Sequence, residues 1–384
     1  MKSLVYLDNA ATTRLDGAVL EAMMPYLREQ YGNPSSLHTL GLEARRAVEQ
    51  ARVRCAERLD ARPEGIVFTA SGSESNNLAV RGLLPHLKGR SVITTRLEHP
   101  SVSEPVRILA RHGVEVRFAD NDLDGRLDLN HLEDLLGKGP CGLLCVIHGS
   151  NEVGTVQDAA AVGRLLADRS PETWFHLDAV QSLGHLPIDP EALGIHSLSL
   201  SCHKLHGPRG AGILVLYRDR KLSPIVSGGG QESGRRSGTE NVPAIVGSAL
   251  ALERAIDALG EAPSRMQSLR DRLAEGITGR IEGTRINGSP SSGLCHILSV
   301  SFQGLLGEVL LHHLEERGIM VSTGSACHSR WKDMSETLKA IEVPQPMARG
   351  TIRLSLSRYT TAEEIDYTLD TLVDRVAYLR EVGL

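Results

Sequence analysis

Polar residues recur in this chain at one kind of position, just after short runs of β-branched and aliphatic residues. Ser71-Gly72-Ser73 follows Ile66-Val67-Phe68-Thr69, and His99 follows Ser91-Val92-Ile93-Thr94-Thr95. Asn151 comes soon after Leu143-Leu144-Cys145-Val146-Ile147. Asp178 closes Trp174-Phe175-His176-Leu177 and leads to Gln181, and Ser201, His203 and Lys204 follow Ser197-Leu198-Ser199-Leu200. Singly, each has a plain explanation: a helix cap for Ser71 or Asp178, a satisfied buried imidazole for His99 or His203, a surface charge for Lys204. Five strand ends converging on one edge are harder to explain that way, because open α/β sheets bind ligands beyond the carboxyl ends of their strands.

The set has a chemical logic. A lysine at an apolar strand end can be desolvated, which frees its amine for Schiff-base chemistry. An aspartate in the same site can hold a pyridine nitrogen protonated and make the ring an electron sink. An imidazole can lie on the ring face. Serine, histidine and the N–H groups at a helix N-terminus can hold a phosphate. This is equipment for pyridoxal 5′-phosphate. A Walker-type Gly-Lys-Ser/Thr and a GxGxxG after a strand are both missing from the sequence, which argues against the commonest nucleotide loops.

The elements that must position these groups alternate. Strands are expected at 66–69, 91–95, 115–118, 142–147, 174–178 and 197–200, with helices at 74–87, 102–111, 130–136 and 159–167. Continuous apolar strands suit a sheet covered on both faces, and strand–helix alternation predicts an α/β unit with a mostly parallel sheet. A long helix at 243–259 precedes a break at Gly260-Glu261-Ala262-Pro263. Helices at 266–278, 308–317 and 362–379 and strands at 298–302 and 351–355 then describe a smaller α+β unit. The expected organisation is a large cofactor-binding domain over 1–260 and a small domain over 261–384, with residues 1–15 packing on the small domain.

Composition bounds the function. The 384 residues are 41% hydrophobic and 23% charged, which fits a globular chain with a sizeable core. Aromatics at 3% and a net charge of −5 disfavour direct nucleic-acid or membrane binding. No apolar run is long enough for a membrane span, and the N-terminus lacks the apolar stretch of a secretory signal, so a cytoplasmic location is expected. Six cysteines make no disulfide framework, and their spacing makes no zinc site. Five read as small buried hydrophobes. Cys327 differs: Ser322-Thr323-Gly324-Ser325-Ala326-Cys327-His328-Ser329-Arg330-Trp331-Lys332 is small and polar, and Arg330 and Lys332 favour a thiolate.

Six stretches in order resemble the cysteine desulfurases of the aminotransferase class V family. They are Tyr6-Leu7-Asp8-Asn9-Ala10-Ala11-Thr12-Thr13, Asn151-Glu152-Val153-Gly154, His176-Leu177-Asp178-Ala179-Val180-Gln181-Ser182, Ser201-Cys202-His203-Lys204-Leu205-His206-Gly207-Pro208, Arg236-Ser237-Gly238-Thr239-Glu240-Asn241 and Gly324-Ser325-Ala326-Cys327. The resemblance runs end to end and implies the fold of type I transferases that depend on pyridoxal phosphate. It implies that Lys204 forms the Schiff base, Asp178 pairs with the pyridine nitrogen, His99 stacks on the ring and Gln181 meets its phenolic oxygen. By the same resemblance, Asn151 lies beside the ring and the substrate carboxylate. Gly72, Ser73, Ser201 and His203 contact the phosphate, joined by Thr239 from a neighbouring subunit, so a homodimer is implied. Arg353 clamps the substrate carboxylate, and Cys327 takes the sulfur of L-cysteine as a persulfide destined for a protein acceptor.

Several residues depart from the family pattern. Cys202 replaces a small non-thiol residue, Ser73 takes a position often held by threonine, and His148-Gly149-Ser150 replaces the more usual His-Val-Asn. His328 after Cys327 also resembles selenocysteine lyases. The chain ends at Leu384 without the longer tail that docks the cluster scaffold in housekeeping desulfurases. Selenocysteine lyase, transaminase and a catalytically silent scaffold of the same fold are the alternatives. For the acceptor, iron–sulfur assembly, tRNA thiolation and DNA phosphorothioation all stay open.

Overall fold

The computed structural model describes residues 4–323 and 334–383. Its strands are β1 (Val5–Tyr6), β2 (Ile66–Thr69), β3 (Ser91–Thr95), β4 (Val116–Ala119), β5 (Cys141–Ile147), β6 (Trp174–Asp178), β7 (Ser197–Ser201), β8 (Gly212–Leu216), β9 (Thr284–Asn287), β10 (Ile297–Phe302), β11 (Ile319–Met320), β12 (Ser322–Thr323) and β13 (Thr351–Ser355).

The larger sheet runs β2-β8-β7-β6-β5-β3-β4. Its strands are parallel except β8, which is antiparallel to β2 and β7. The β5 run Cys-Gly-Leu-Leu-Cys-Val-Ile is buried at every position. Its side chains alternate between two cores, as strand geometry requires. Leu143 and Cys145 join Leu78, Val80, Val102 and Val106 from helices Gly72–Arg81 and Pro100–Arg111. Leu144 and Val146 join Ala44, Val48, Val162 and Leu252 from helices Thr39–Arg58, Ala159–Arg169 and Val242–Asp257 on the other face. The apolar run is therefore the expected signature of a strand covered on both sides.

The second sheet runs β12-β13-β10-β9, all antiparallel. Helices Ala262–Arg280 and Ala362–Glu381 cover it, with Leu273, Ile277, Leu369 and Leu372 packed on Val300 and Leu354. Strand β1 pairs in parallel with β11, and Val5 and Leu7 lie in this same core. No helix among the described residues is long and apolar enough to cross a membrane.

Three elements differ from the sequence expectation for physical reasons. The helix expected over 74–87 begins two residues earlier, at Gly72, where Ser71 accepts the Glu74 N–H. It ends at Arg81: Gly82 caps it, donating its N–H to the Leu78 carbonyl, and close approach to Leu222 and Ser223 leaves no room for a side chain there. The helix expected from 266 begins at Ala262, with Pro263 in its first turn, since a first-turn proline loses no intrahelical hydrogen bond; the expected break is the short turn Ala258–Gly260 just before it. Strand β8 carries no alternating pattern that separates it from the preceding glycine-rich loop, so periodicity alone does not reveal it.

Candidate active site

Because β3, β5, β6 and β7 are parallel, their carboxyl ends share one edge of the sheet. Strand β2 points the same way, being antiparallel to β8 as β7 is. An open cavity of about 910 Å3, its mouth included, lies at this edge. Gly72, Ser73, His99, Asn151, Asp178, Gln181, Ser201, His203, Lys204 and Arg353 all line it. Residues about 280 apart in sequence thus meet at one place.

Asp178, at the end of β6, is 3% exposed. Burial pushes its carboxyl upward; His99, the Val180 N–H, Asn76 and Lys204 oppose that shift. Oδ1 accepts the Val180 N–H at 3.0 Å, and Oδ2 accepts Asn76 Nδ2 at 2.7 Å. His99 caps helix Pro100–Arg111, with its Nδ1 accepting the Ser101 N–H at 3.1 Å.

At the opposite wall, Ser71 does cap helix Gly72–Arg81, so the plain reading of that serine holds. The same cap leaves the N–H groups of Gly72 and Ser73 at the cavity, where a helix N-terminus favours an anion. Gly72 is required by close approach: a Cβ there would lie 2.9 Å from Val180 Cγ2 and 3.1 Å from Ser201 Cβ. His203 Nδ1 lies 3.1 Å from Thr12 Oγ1, and burial, with Lys204 and Arg209 nearby, holds its imidazole down at about 4.

The segment after β1 closes the cavity from the second sheet. Lys204 Nζ donates to the Ala10 carbonyl and, at 2.7 Å, to that of Ala11. Gln181 Nε2 donates to the Ala10 carbonyl at 2.8 Å. Arg353, on β13 and 4% exposed, donates from Nη1 to the Asn151 carbonyl at 2.7 Å and from Nη2 to Asp8 Oδ1 at 3.0 Å. Its Nε is buried without a partner. Burial raises the Asp8 carboxyl even against this guanidinium.

Thr239 is exposed and does not line the cavity of its own chain. Cys327, with His328, Arg330 and Lys332, lies outside the described residues. Cys55, Cys141, Cys145, Cys202 and Cys295 are all buried and unpaired. Cys202 packs in the large core, where burial lifts its thiol to about 11, so it is a core residue rather than a reactive thiol. Sequence reasoning missed Asn76, Ser101 and Asp8 as parts of the site. An asparagine on the apolar face of a short helix was the available signal for Asn76.

These residues fit pyridoxal phosphate. A buried carboxylate, a lysine amine, an arginine Nε without a partner and a helix N-terminus whose first residue lacks a Cβ supply partners for a ring nitrogen, an aldehyde, a carboxylate and a phosphate. The aminotransferase class-V family model matches residues 5–368, and the chain belongs to that family. Within it, the chain is 40% identical to the cysteine desulfurase IscS of Dictyoglomus turgidum, over 100% of this chain and 97% of that one. A solved NifS-like protein superposes with a TM-score of 0.92 at 38% identity, covering 98% of this chain and 100% of that one. SspA in complex with cysteine superposes with a TM-score of 0.81 at 33% identity, over 93% of this chain and 100% of that one. The architecture is that of fold type I enzymes that use pyridoxal phosphate.

Proposed function

We propose that this chain is a cysteine desulfurase that uses pyridoxal phosphate to convert L-cysteine to L-alanine, leaving the sulfur as a persulfide on Cys327. The observation that carries this reading is the convergence of Lys204, Asp178, His99 and Arg353 on one cavity. The names of its relatives favour cysteine over selenocysteine as substrate, and the cysteine bound to SspA supports the same substrate class.

The cofactor supplies an aldehyde that condenses with amines and a ring that accepts electrons. The residues of the chain do the rest. Gly72, Ser73, Ser201 and His203 hold the phosphate, and Gln181 meets the phenolic oxygen. Asp178 would hold a proton at the ring nitrogen, and His99 would pack against the ring. Arg353, with Asn151 beside it, binds the substrate carboxylate; a planar guanidinium suits that bidentate task. Lys204 moves a proton at the substrate α-carbon. The Cys327 thiolate then attacks the substrate sulfur. A sulfur–sulfur bond forms, the carbon–sulfur bond breaks, and the carbon takes a proton to give alanine. The persulfide sulfur passes to a protein acceptor. The reading includes a homodimer in the cytoplasm, with Thr239 reaching the partner's phosphate site; its exposure on this chain supports that.

Purified Cys327→Ser is expected to keep the visible absorbance of bound cofactor and to lose persulfide formation and sulfide release. Lys204→Ala is expected to lose that absorbance. Sulfide release by Cys327→Ser at the wild-type rate, or an unchanged spectrum in Lys204→Ala, would overturn these roles.

A further inference from the structure

Behind the cavity wall runs a chain of buried polar side chains. Trp174 Nε1 donates to Ser197 Oγ at 2.8 Å, and Ser197 Oγ lies 2.9 Å from His176 Nδ1. His176 Nε2 lies 3.0 Å from Asn76 Oδ1. Asn76 Nδ2 reaches Asp178 Oδ2 at 2.7 Å and Ser101 Oγ at 2.8 Å. Ser101 Oγ lies 2.7 Å from His99 Nδ1. Asn76, His176 and Ser197 are each 0% exposed.

The ionised Asp178 carboxylate only accepts, so Asn76 turns Nδ2 toward it and toward Ser101, and turns Oδ1 toward His176 Nε2, which donates to it. Ser199 Oγ also lies 3.5 Å from that ring nitrogen. At the other end, the Ser101 backbone N–H donates to His99 Nδ1 at 3.1 Å, so Nδ1 is an acceptor. The Ser101 hydroxyl hydrogen also points there, and the ring proton of His99 sits on Nε2. Both ends demand the same orientation of Asn76, and a network in which every member is satisfied holds its geometry tightly.

We propose that Asn76 is a positioning residue whose amide holds the Asp178 carboxylate charged and oriented for the ring nitrogen and, through the Ser101 hydroxyl, holds the His99 ring in place. The proposal rests on the pyridoxal phosphate reading of the site. Burial alone disfavours the Asp178 carboxylate, and donation to the charged form offsets part of that cost. Burial also keeps His176 neutral, with its imidazole held down at about 3, so the far end of the chain does not change with pH in the working range. Aspartate at position 76 has nearly the same shape but has no N–H to donate, and its oxygen would face the Asp178 oxygen.

The test uses holoprotein loaded with cofactor carrying 15N at the pyridine nitrogen, whose chemical shift reports protonation of that atom. The wild type is expected to give the protonated signal. N76A and N76D are expected to shift it toward the unprotonated position and to weaken cofactor binding by roughly 10- to 100-fold, the range for losing a hydrogen bond to a charged group. S101A cuts only the His99 branch; it is expected to keep the 15N signal and lower kcat with little change in KM. A wild-type 15N signal and wild-type cofactor affinity in N76A overturn the proposal. Should N76A not fold, the same result in N76D does so. Failure of the underlying reading looks different: the wild type itself would then show no visible absorbance with the cofactor.

Discussion

Glu98 precedes the imidazole that lines the cavity, yet it faces the protein interior. Its Oε1 accepts the Thr95 hydroxyl at 2.7 Å and the Ile147 N–H at 3.0 Å, while Oε2 is buried without a partner. Two donors do not offset full burial, and the carboxyl is pushed up to about 8 from its ordinary 4.5. The folded state holds the proton more tightly than the unfolded one, so this contribution to stability is fully present below pH 4.5 and is lost as pH rises through 8. Glu98→Gln keeps the accepting oxygen and removes the titration. Urea unfolding at pH 8.5 is expected to show the variant more stable than wild type by on the order of a few kcal/mol, a gap that closes toward pH 4.5. Equal midpoints at pH 8.5 would show that Glu98 is ionised in the folded protein at little cost. Nothing in Arg96-Leu97-Glu98-His99 announces this behaviour, because it depends on the neighbours that exclude water.

At the scale of elements, the turn from β2 into helix Gly72–Arg81 serves two ends. Ser71 satisfies the Glu74 N–H at 3.1 Å, and Gly72 lets the backbone approach Val180 and Ser201 closely. Gly72→Ala puts a methyl group against both side chains. Overpacking of this kind costs about 1–3 kcal/mol. The expected outcome is a lower melting temperature together with about tenfold weaker cofactor binding, measured by equilibrium ultrafiltration. A variant that loses melting temperature and keeps full cofactor affinity would show that this glycine serves packing alone. That a helix follows β2 was legible from its Ser-Gly-Ser composition; its start at Gly72 and its end at Arg81 were not, since Gly82 lies against Leu222 and Ser223 from a distant segment.

For the whole molecule, many imidazoles are folded away from water. Burial lowers His148 and His206 to about 4 and His176 and His185 to about 3, and holds His296 well below its ordinary value. Each of these groups is lowered by folding, so its contribution is present above pH 6.5 and is lost as pH falls through the folded values. Glu98 acts in the opposite direction over the same interval, but one carboxyl opposes several imidazoles. The urea midpoint is expected to fall steadily from pH 6.5 to pH 4. A midpoint that stays level to pH 4 would mean that these rings remain accessible to protons in the folded state. His185 and His296 stack at 3.7 Å between centroids, with one ring from the segment after β6 and the other just before β10. Acid therefore acts where the two sheets meet, close to Lys204 and Gln181.

The strand ends, the lysine, the aspartate and the ordered motifs were readable directly, because parallel strands with apolar runs must deliver their next residues to one shared edge. That local rule needs no knowledge of distant neighbours, and the resemblance carried by the six stretches, those of Asp178 and Lys204 among them, needs only their order. Three features were decided by tertiary structure alone. Asp8 meets Arg353 because β1 pairs with β11 on the far core. Asn76 faces Asp178 because helix Gly72–Arg81 packs across β6 and β7. The carboxyl of Glu98 rises because packing beside Thr95 and Ile147 takes it out of water. Each arises from groups far apart in sequence sharing a water-poor space, and neither composition nor periodicity encodes which groups will share it.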